Sequence, residues 1–542
     1  MTRLTPQGPR PAPRPARSRG RGALAAALLA GTAALAGTAP AGAQEIRAVM
    51  HSGIRVLDPV ITTAHITRNH GYMIYDTLLA MDANQEVRPQ MADWAVSEDG
   101  LTYTFTLRDG LRWHDGEPVT AADVVASLRR WGERDAGGQM LMDYVEGLEA
   151  TDERTVAMTL TEPFTYALEL IAKPSGLPSF IMPERVAQTP SSEAITDHTG
   201  SGPFVFVEEE YQPGVQAAYR KNEDYVPREE EPSWLAGGKV VNVDRVTWVT
   251  MPDAQTAMNA LMGGEIDFME TVPIDLLPIL EANPDLVVDV VGDLGYQTMA
   301  RLNWLHPPFD DPEIRRAALE ALGQEPVLAA MMGNPEYYQI CGSIYGCGTP
   351  LETDAGSEAV LAGPDPEAAR ERLEAAGYDG TPVVLMQPTD VSTLVAQPVV
   401  GAQLLRDAGF TVDLQPMDWQ TLVTRRASQE PPDAGGWNMF FTNWVIPEVW
   451  SPVNSPMLNG GGNDAWFGWP DDPALDELRR AFAQAETPEA QQEIAAEIQR
   501  HALDVVNYVP LGQYRTPSAW RSSLDGVLEA PVPVFWNIQK AE

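Results

Sequence analysis

Only two of the 542 residues are cysteines, Cys341 and Cys347, and the seven histidines form no ligand set with them. A Cys/His zinc centre is therefore excluded, and no residue pattern calls for a metal or a cofactor. Basic residues are scarce as well. The chain has 37 lysines and arginines against 76 aspartates and glutamates, a formal charge of −39. A surface of that sign does not take up nucleic acid through its phosphates, and anionic membranes repel it. Beyond residue 43 no run of 18 apolar residues occurs, so no segment has the composition of a membrane-inserted helix. Catalytic signatures are missing too: no Gly-x-Ser-x-Gly elbow, His-Glu-x-x-His helix, phosphate loop or dinucleotide fingerprint. A hydrolytic carboxylate pair stays open among 76 acids, but nothing singles one out.

What is present begins at the N-terminus. The first 22 residues carry six arginines (Arg3, Arg10, Arg14, Arg17, Arg19, Arg21) and no acid. An alanine-rich apolar run, 23–36, leads to Ala41-Gly42-Ala43. This order of basic region, short apolar core and small-residue site predicts a secretory signal over 1–43, cleaved near Ala43. No cysteine lies near that point, which argues against a lipid anchor. The arginines are scattered rather than paired, which favours general secretion. Without these six arginines the balance is 31 basic against 76 acidic residues, or −45. That acidity reads as a solvated surface serving solubility, with selection for a cationic ligand as the alternative. An exported, oxidising compartment suits a structural disulfide between Cys341 and Cys347, with a redox pair as the rival. A ring that short contributes about 2 kcal/mol in the chain-entropy model.

About 500 mature residues exceed what one core supports, so two or three domains are expected. An apolar share of 44% and 14 tryptophans indicate a folded chain. Thr102 to Arg108 alternates with Tyr103, Phe105 and Leu107 on one face, and Thr155 to Leu160 does the same with Val156, Met158 and Leu160. Thr120 and Asp123 form a capping box before Val124, Leu128 and Trp131, predicting a helix that stops by Gly137-Gly138. Asp311-Pro312, Asp365-Pro366 and Thr487-Pro488 open further helices, with Gly323 and Gly377 closing the first two. The mixture predicts an α/β protein with several sheets. The Pro/Gly-rich loops at 431–436 and 452–470 are crowded by Trp437, Trp444, Trp450, Trp466, Phe467 and Trp469. These rings form either an internal layer or the wall of an aromatic ligand cleft.

Residues 88–131 read RPQMADWAVSEDGLTYTFTLRDGLRWHDGEPVTAADVVASLRRW. Trp94, Ser97, Asp99-Gly100, His114-Asp115-Gly116 and Thr120 to Asp123 resemble the signature of extracellular solute-binding proteins of the dipeptide, oligopeptide and nickel family. That family serves ATP-binding-cassette importers. GSGPF (Gly200 to Phe204), GGEIDF (Gly263 to Phe268), LNWLHPPFDDPEIRRAAL (Leu302 to Leu319) and QLLRDAGFTVDLQPMDWQTL (Gln403 to Leu422) extend the resemblance in order along the chain. The Asp-Gly pairs are turn formers, and His114 is expected to satisfy backbone groups rather than a ligand.

The resemblance implies an α/β fold of the periplasmic binding protein type II kind, two lobes around a ligand cleft with an additional third domain. Lobe I would comprise 44–75, 200–298 and 506–542, the additional domain 76–199, and lobe II 299–505. It further implies a monomeric periplasmic protein, not an enzyme. Such a protein captures a small solute, a peptide or peptide-like molecule, by hinge closure and delivers it to a transmembrane permease. A sensor presenting its closed form to a chemoreceptor is the alternative, and a secreted hydrolase a more distant one. By resemblance, ligands would be enclosed by Asp58 to Tyr72, Gly200 to Gly202 and Asn438 to Trp450, with Val509 to Thr516 closing the cleft. The expected contacts are Tyr72, Asn443, Trp444, Trp450 and Tyr514, with Thr63 and His70. In peptide-binding members an aspartate after the aromatic strand receives the ligand amino group. Here the only acid in Trp444 to Trp450 is Glu448, which places a peptide ligand in doubt unless Glu448 substitutes. The Ser451 to Trp469 loop has no histidine of the kind that holds chelated nickel.

Overall fold

The computed structural model describes residues 44–292 and 294–541; the expected secretory signal, 1–43, lies outside them. Three larger sheets organise the chain. The first has seven strands in the order Phe204–Phe206, Gln216–Lys221, Arg245–Val249, Glu45–Val49, Phe268–Met269, Ser518–Arg521, Leu286–Asp289. At its centre Glu45–Val49 runs parallel to both neighbours, and its Ile46 and Ala48 are fully buried. Both faces of a parallel strand are covered, and the helix Ala254–Gly263 helps cover this one through Ala257 and Leu261. Asp253 caps that helix by accepting from the Thr256 N–H, and Gly264 ends it in the left-handed region at φ 73°.

The second sheet has six strands in the order Tyr338–Gln339, Tyr508–Tyr514, Tyr296–Leu302, Met439–Val445, Val383–Pro388, Val412–Met417. A third, four-stranded antiparallel sheet orders Ala92–Val96, Thr102–Leu107, Thr155–Leu160 and Val145–Ala150. The two alternating patterns read from sequence are its central strands. Tyr103, Phe105, Leu107, Val156, Met158 and Leu160 all face its core, against the helix Ala121–Gly132. The capping box is present: Asp123 accepts from the Thr120 N–H at 2.7 Å and hydroxyl at 2.9 Å.

Two expectations need correction. The helix stops before Gly137-Gly138, as expected, but those glycines do not end it. It ends at Gly132, and the glycines lie inside a second helix, Ala136–Tyr144, capped by Asp135. They are there for close approach rather than termination. A Cβ on Gly137 would sit 2.4 Å from Leu170 and 2.9 Å from the Val453 carbonyl. The tail, 506–542, is divided between sheets. Ser518–Arg521 lies in the first, whereas Tyr508–Tyr514 pairs with Tyr296–Leu302 in the second. The chain therefore crosses between the two large sheets at 290–295 and again at 515–517.

The aromatic loops resolve chiefly as an internal layer. Trp437, Trp444, Trp450 and Trp469 are buried, with Trp437 packed on Phe440 and Trp469. Cys341 and Cys347 are joined as a disulfide. The ring is pinned by two glutamines, with Gln324 accepting from the Cys341 N–H and Gln513 from the Cys347 N–H.

Candidate functional site

A cavity opens between the first and second sheets. The first sheet contributes His51 and Thr271, each just beyond the carboxyl end of a parallel strand, where α/β sheets place their ligand loops. Thr63, Ala64 and His65 complete that wall at the start of the helix His65–Ile74. From the second sheet come Tyr296, Thr442, Asn443, Trp444 and Tyr514, and from the helix Trp419–Arg425 and its end come Trp419 and Arg426. Tyr296 and Tyr514 are paired across adjacent strands, so their rings stack at 5.3 Å with a 16° interplanar angle.

Four of the seven residues expected to touch ligand, Thr63, Asn443, Trp444 and Tyr514, line this cavity together. Asn443 is already committed, donating to Thr393 at 3.3 Å and accepting from Gln397 at 3.0 Å. Trp444 is 2% exposed, packs edge-on against Trp466 at 5.1 Å, and its indole N–H has no partner among the described residues. The other three residues lie elsewhere. His70 is a core histidine, its Nδ1 2.9 Å from the Tyr219 hydroxyl and its pKa held down to about 3 by burial. Tyr72 lies on the face of His65 but two turns, about 10 Å, further along the helix, and its hydroxyl donates to the Pro174 carbonyl. Trp450 is buried beyond the short helix Ile446–Val449. The Gly200–Gly202 turn also packs away from the cavity. A Cβ on Gly200 would lie 1.7 Å from the Ile74 carbonyl, and His114 ties this turn to its own through the Gly200 N–H and the Gly202 carbonyl.

Arg426 was not anticipated and is, among the described residues, the one arginine of the wall. It is 2% exposed, reaches Thr63 only at 3.4 Å, and its Nε has no partner among the described residues. Nor, among those residues, does a carboxylate lie within ion-pair distance of it; instead its guanidinium sits over Phe467 at 4.9 Å and Trp466 at 5.4 Å. Burial brings its pKa down to about 9, so it stays charged at neutral pH. The available signal was an arginine pair just before the aromatic strand in a chain poor in basic residues.

Glu448, the residue considered as an amino-group receptor, presents no free carboxylate. One oxygen accepts from the Gly176 N–H at 2.6 Å and from the Ser175 hydroxyl, the other from the Val445 N–H at 3.0 Å and His65 at 3.1 Å. Those four donors fill the roughly four lone-pair positions of a carboxylate. Arg68 adds its charge at 3.7 Å. Burial pushes the Glu448 carboxyl up, but His65, Arg68 and Ser175 hold it below the ordinary range. Burial also keeps His65 low, so it serves as a neutral donor and Arg68 supplies the compensating charge.

The family model described as bacterial extracellular solute-binding proteins, family 5 Middle, matches residues 86–466. The chain is 41% identical over 507 residues to the probable peptide ABC transporter periplasmic-binding protein y4tO of Sinorhizobium fredii (strain NBRC 101917 / NGR234), covering 93% of this chain and 95% of that one. Among solved structures, it is similar to DppA, the ABC transporter-associated periplasmic binding protein of Helicobacter pylori, in complex with the peptide STSA. That likeness has a TM-score of 0.75 and 20% identity, over 92% of this chain and 98% of the other. The dipeptide-binding protein of Pseudoalteromonas sp. SM9913 with Met-Leu gives a TM-score of 0.77 at 18% identity, over 92% and 100% of the two chains. The fold is thus the multi-sheet α/β architecture of type II periplasmic binding proteins.

Proposed function

The chain belongs to the bacterial extracellular solute-binding proteins of family 5, and from that premise we propose that it captures a peptide or peptide-like solute in the cavity between its two large sheets and hands it to the permease of an ATP-binding-cassette importer. The observation that carries the site is Arg426, a buried guanidinium with no carboxylate partner among the described residues, at a cavity walled by both sheets. A ligand carboxylate supplies the missing charge and two acceptor oxygens in the geometry a guanidinium prefers. Trp444 offers its ring and an indole N–H that has no partner among the described residues, while Thr63 and His65 meet the ligand from the opposite wall.

A solute held by both walls stabilises the closed arrangement over the open one, with 290–292, 294–295 and 515–517 as the segments that bend. Delivery needs only that the permease distinguish the two forms, and no bond in the solute is broken. The protein acts in the periplasm as a monomer, after loss of residues 1–43. Transport is favoured over a sensory or hydrolytic role because the named relative is itself described as a transporter component.

Native mass spectrometry of the mature chain tests the reading first. A discrete excess mass, lost on unfolding, identifies the carried solute. Titration calorimetry with that solute, or with di- and tripeptides, then compares wild type with Trp444→Ala. At least a tenfold loss of affinity is expected from removing a buried aromatic anchor. Unchanged affinity in the variant would place the site elsewhere.

A further inference from the structure

A second, larger cavity lies beyond Tyr296 and Thr516, which wall both cavities. It is bounded by the two crossovers between the sheets and by the segment 529–533 near the C-terminus. Its charge is the opposite of the first. The wall of the first cavity has Arg426 and neither aspartate nor glutamate among the described residues. The wall of the second has Glu270 and Glu529 and, among the described residues, no lysine, arginine or histidine.

Glu270 differs from Glu448 in what its oxygens still offer. It is 7% exposed, and one oxygen takes the His51 N–H and Nδ1, both at 2.8 Å. The other has only the Asn69 amide at 3.5 Å, the limit of a hydrogen bond, so acceptor capacity is left over. Arg68, the nearby cation, is already engaged with Glu448 and Ser175. Three rings, Trp234, Phe268 and Tyr296, share the cavity wall with Glu270. Trp234 is held at φ 49°, a conformation that bulky side chains adopt only when their surroundings enforce it. Aromatic faces beside a buried carboxylate are the surroundings that stabilise an organic cation.

We infer that the second cavity is a cation subsite, in which Glu270 with Trp234, Phe268 and Tyr296 receives an ammonium or guanidinium group. The subsite stands on its own wall; that both ends belong to one solute rests on the ligand reading proposed above. A dipolar solute laid across Tyr296 sets its anionic end on Arg426 and its cationic end on Glu270. The amino-group role then passes from the position of Glu448, whose charge is consumed internally, to a residue on the first sheet.

The test uses the mature chain, with Glu270→Gln and Trp234→Leu as variants. Glu270→Gln keeps an acceptor for the His51 N–H, and Trp234→Leu leaves every hydrogen bond of Glu270 intact, so at least one variant should fold. The first probe is 1,5-diaminopentane, with 1,5-pentanediol as the uncharged control. The diamine is expected to raise the melting temperature of wild type more than that of either variant, and the diol to distinguish none of them. Equal diamine shifts in all three proteins would overturn the subsite, because the acidic surface they share would account for the effect. The second probe is trialanine against N-acetyl-trialanine. Acetylation is expected to cost at least tenfold in wild type, as for loss of one hydrogen bond to a charged group, and nothing further in Glu270→Gln. An undiminished preference for the free amine in Glu270→Gln would also overturn it. If neither peptide binds, the peptide reading fails, and the diamine comparison alone decides the subsite.

Discussion

Burying a guanidinium costs several kcal/mol unless its charge and donors are matched, and Arg426 leaves both largely unmatched. Its flat contacts with Phe467 and Trp466 recover only part of that cost. Arg426→Met should therefore keep or raise the melting temperature, since methionine fills similar volume against the same rings. Affinity for a carboxylate-bearing solute should fall at least tenfold, and Arg426→Lys should restore only part of it. Calorimetry beside thermal denaturation separates the two effects: a variant that loses stability and keeps affinity would make Arg426 structural. At this scale the sequence was legible only in part. Asn443 and Trp444 could be picked out because they lie in a stretch that resembles the family. The fate of Glu448 could not, because its partners His65, Ser175 and Gly176 lie 383, 273 and 272 positions away.

Helices and strands were read from signals that are local, and where the signal had one physical cause the reading held. Alternation marked the central strands of the third sheet, and Asp-Pro or Thr-Pro marked helix starts at 312, 366 and 488. The terminating role read for Gly137-Gly138 failed because a glycine has two causes, backbone freedom and absence of a side chain, and sequence alone does not separate them. Here the second operates. Gly137→Ala adds helix propensity worth about 1 kcal/mol. It also drives a Cβ into Leu170 and the Val453 carbonyl, and the carbonyl cannot rotate away. A net destabilisation of about 1–3 kcal/mol is expected in denaturant unfolding, as for other overpacked sites. Any stabilisation would mean that the two helices and Val453 separate readily. The Cys341–Cys347 ring provides a second check on an element. Replacing both by alanine should cost about 2 kcal/mol by loop entropy. The glutamines at 324 and 513 should keep the loop in place, leaving ligand affinity unchanged.

For the whole molecule, the tail strand Tyr508–Tyr514 shows what alternation cannot supply. A strand buried throughout has no face that names its sheet, and its pairing with Tyr296–Leu302 is fixed only by the fold. The same limit hid the contact that joins the parts of the protein. Glu448 follows a strand of the second sheet, His65 and Arg68 belong to the helix packed on the first, and Ser175-Gly176 follow the helix Ala167–Ala172, which packs on the small sheet of Leu79–Met81 and Val87–Pro89. One carboxylate thus meets donors from separate parts of the fold. Its pKa lies below the ordinary value in the folded protein, so it stabilises the fold fully above the unfolded carboxyl range, about pH 4.3. That contribution is lost as the pH falls below this range through the folded pKa. Glu448→Gln should remove about 3 kcal/mol at pH 7, since it leaves Arg68 buried without its anion. Its melting temperature should then fall less than that of wild type between pH 6 and about pH 3, because the titrating group is gone. If the contact also holds the lobes together, small-angle scattering of the ligand-free protein at pH 7 should give a larger radius of gyration for Glu448→Gln than for wild type. Equal radii with unequal melting temperatures would make the carboxylate a support of the local fold, and closure would then rest on the solute alone.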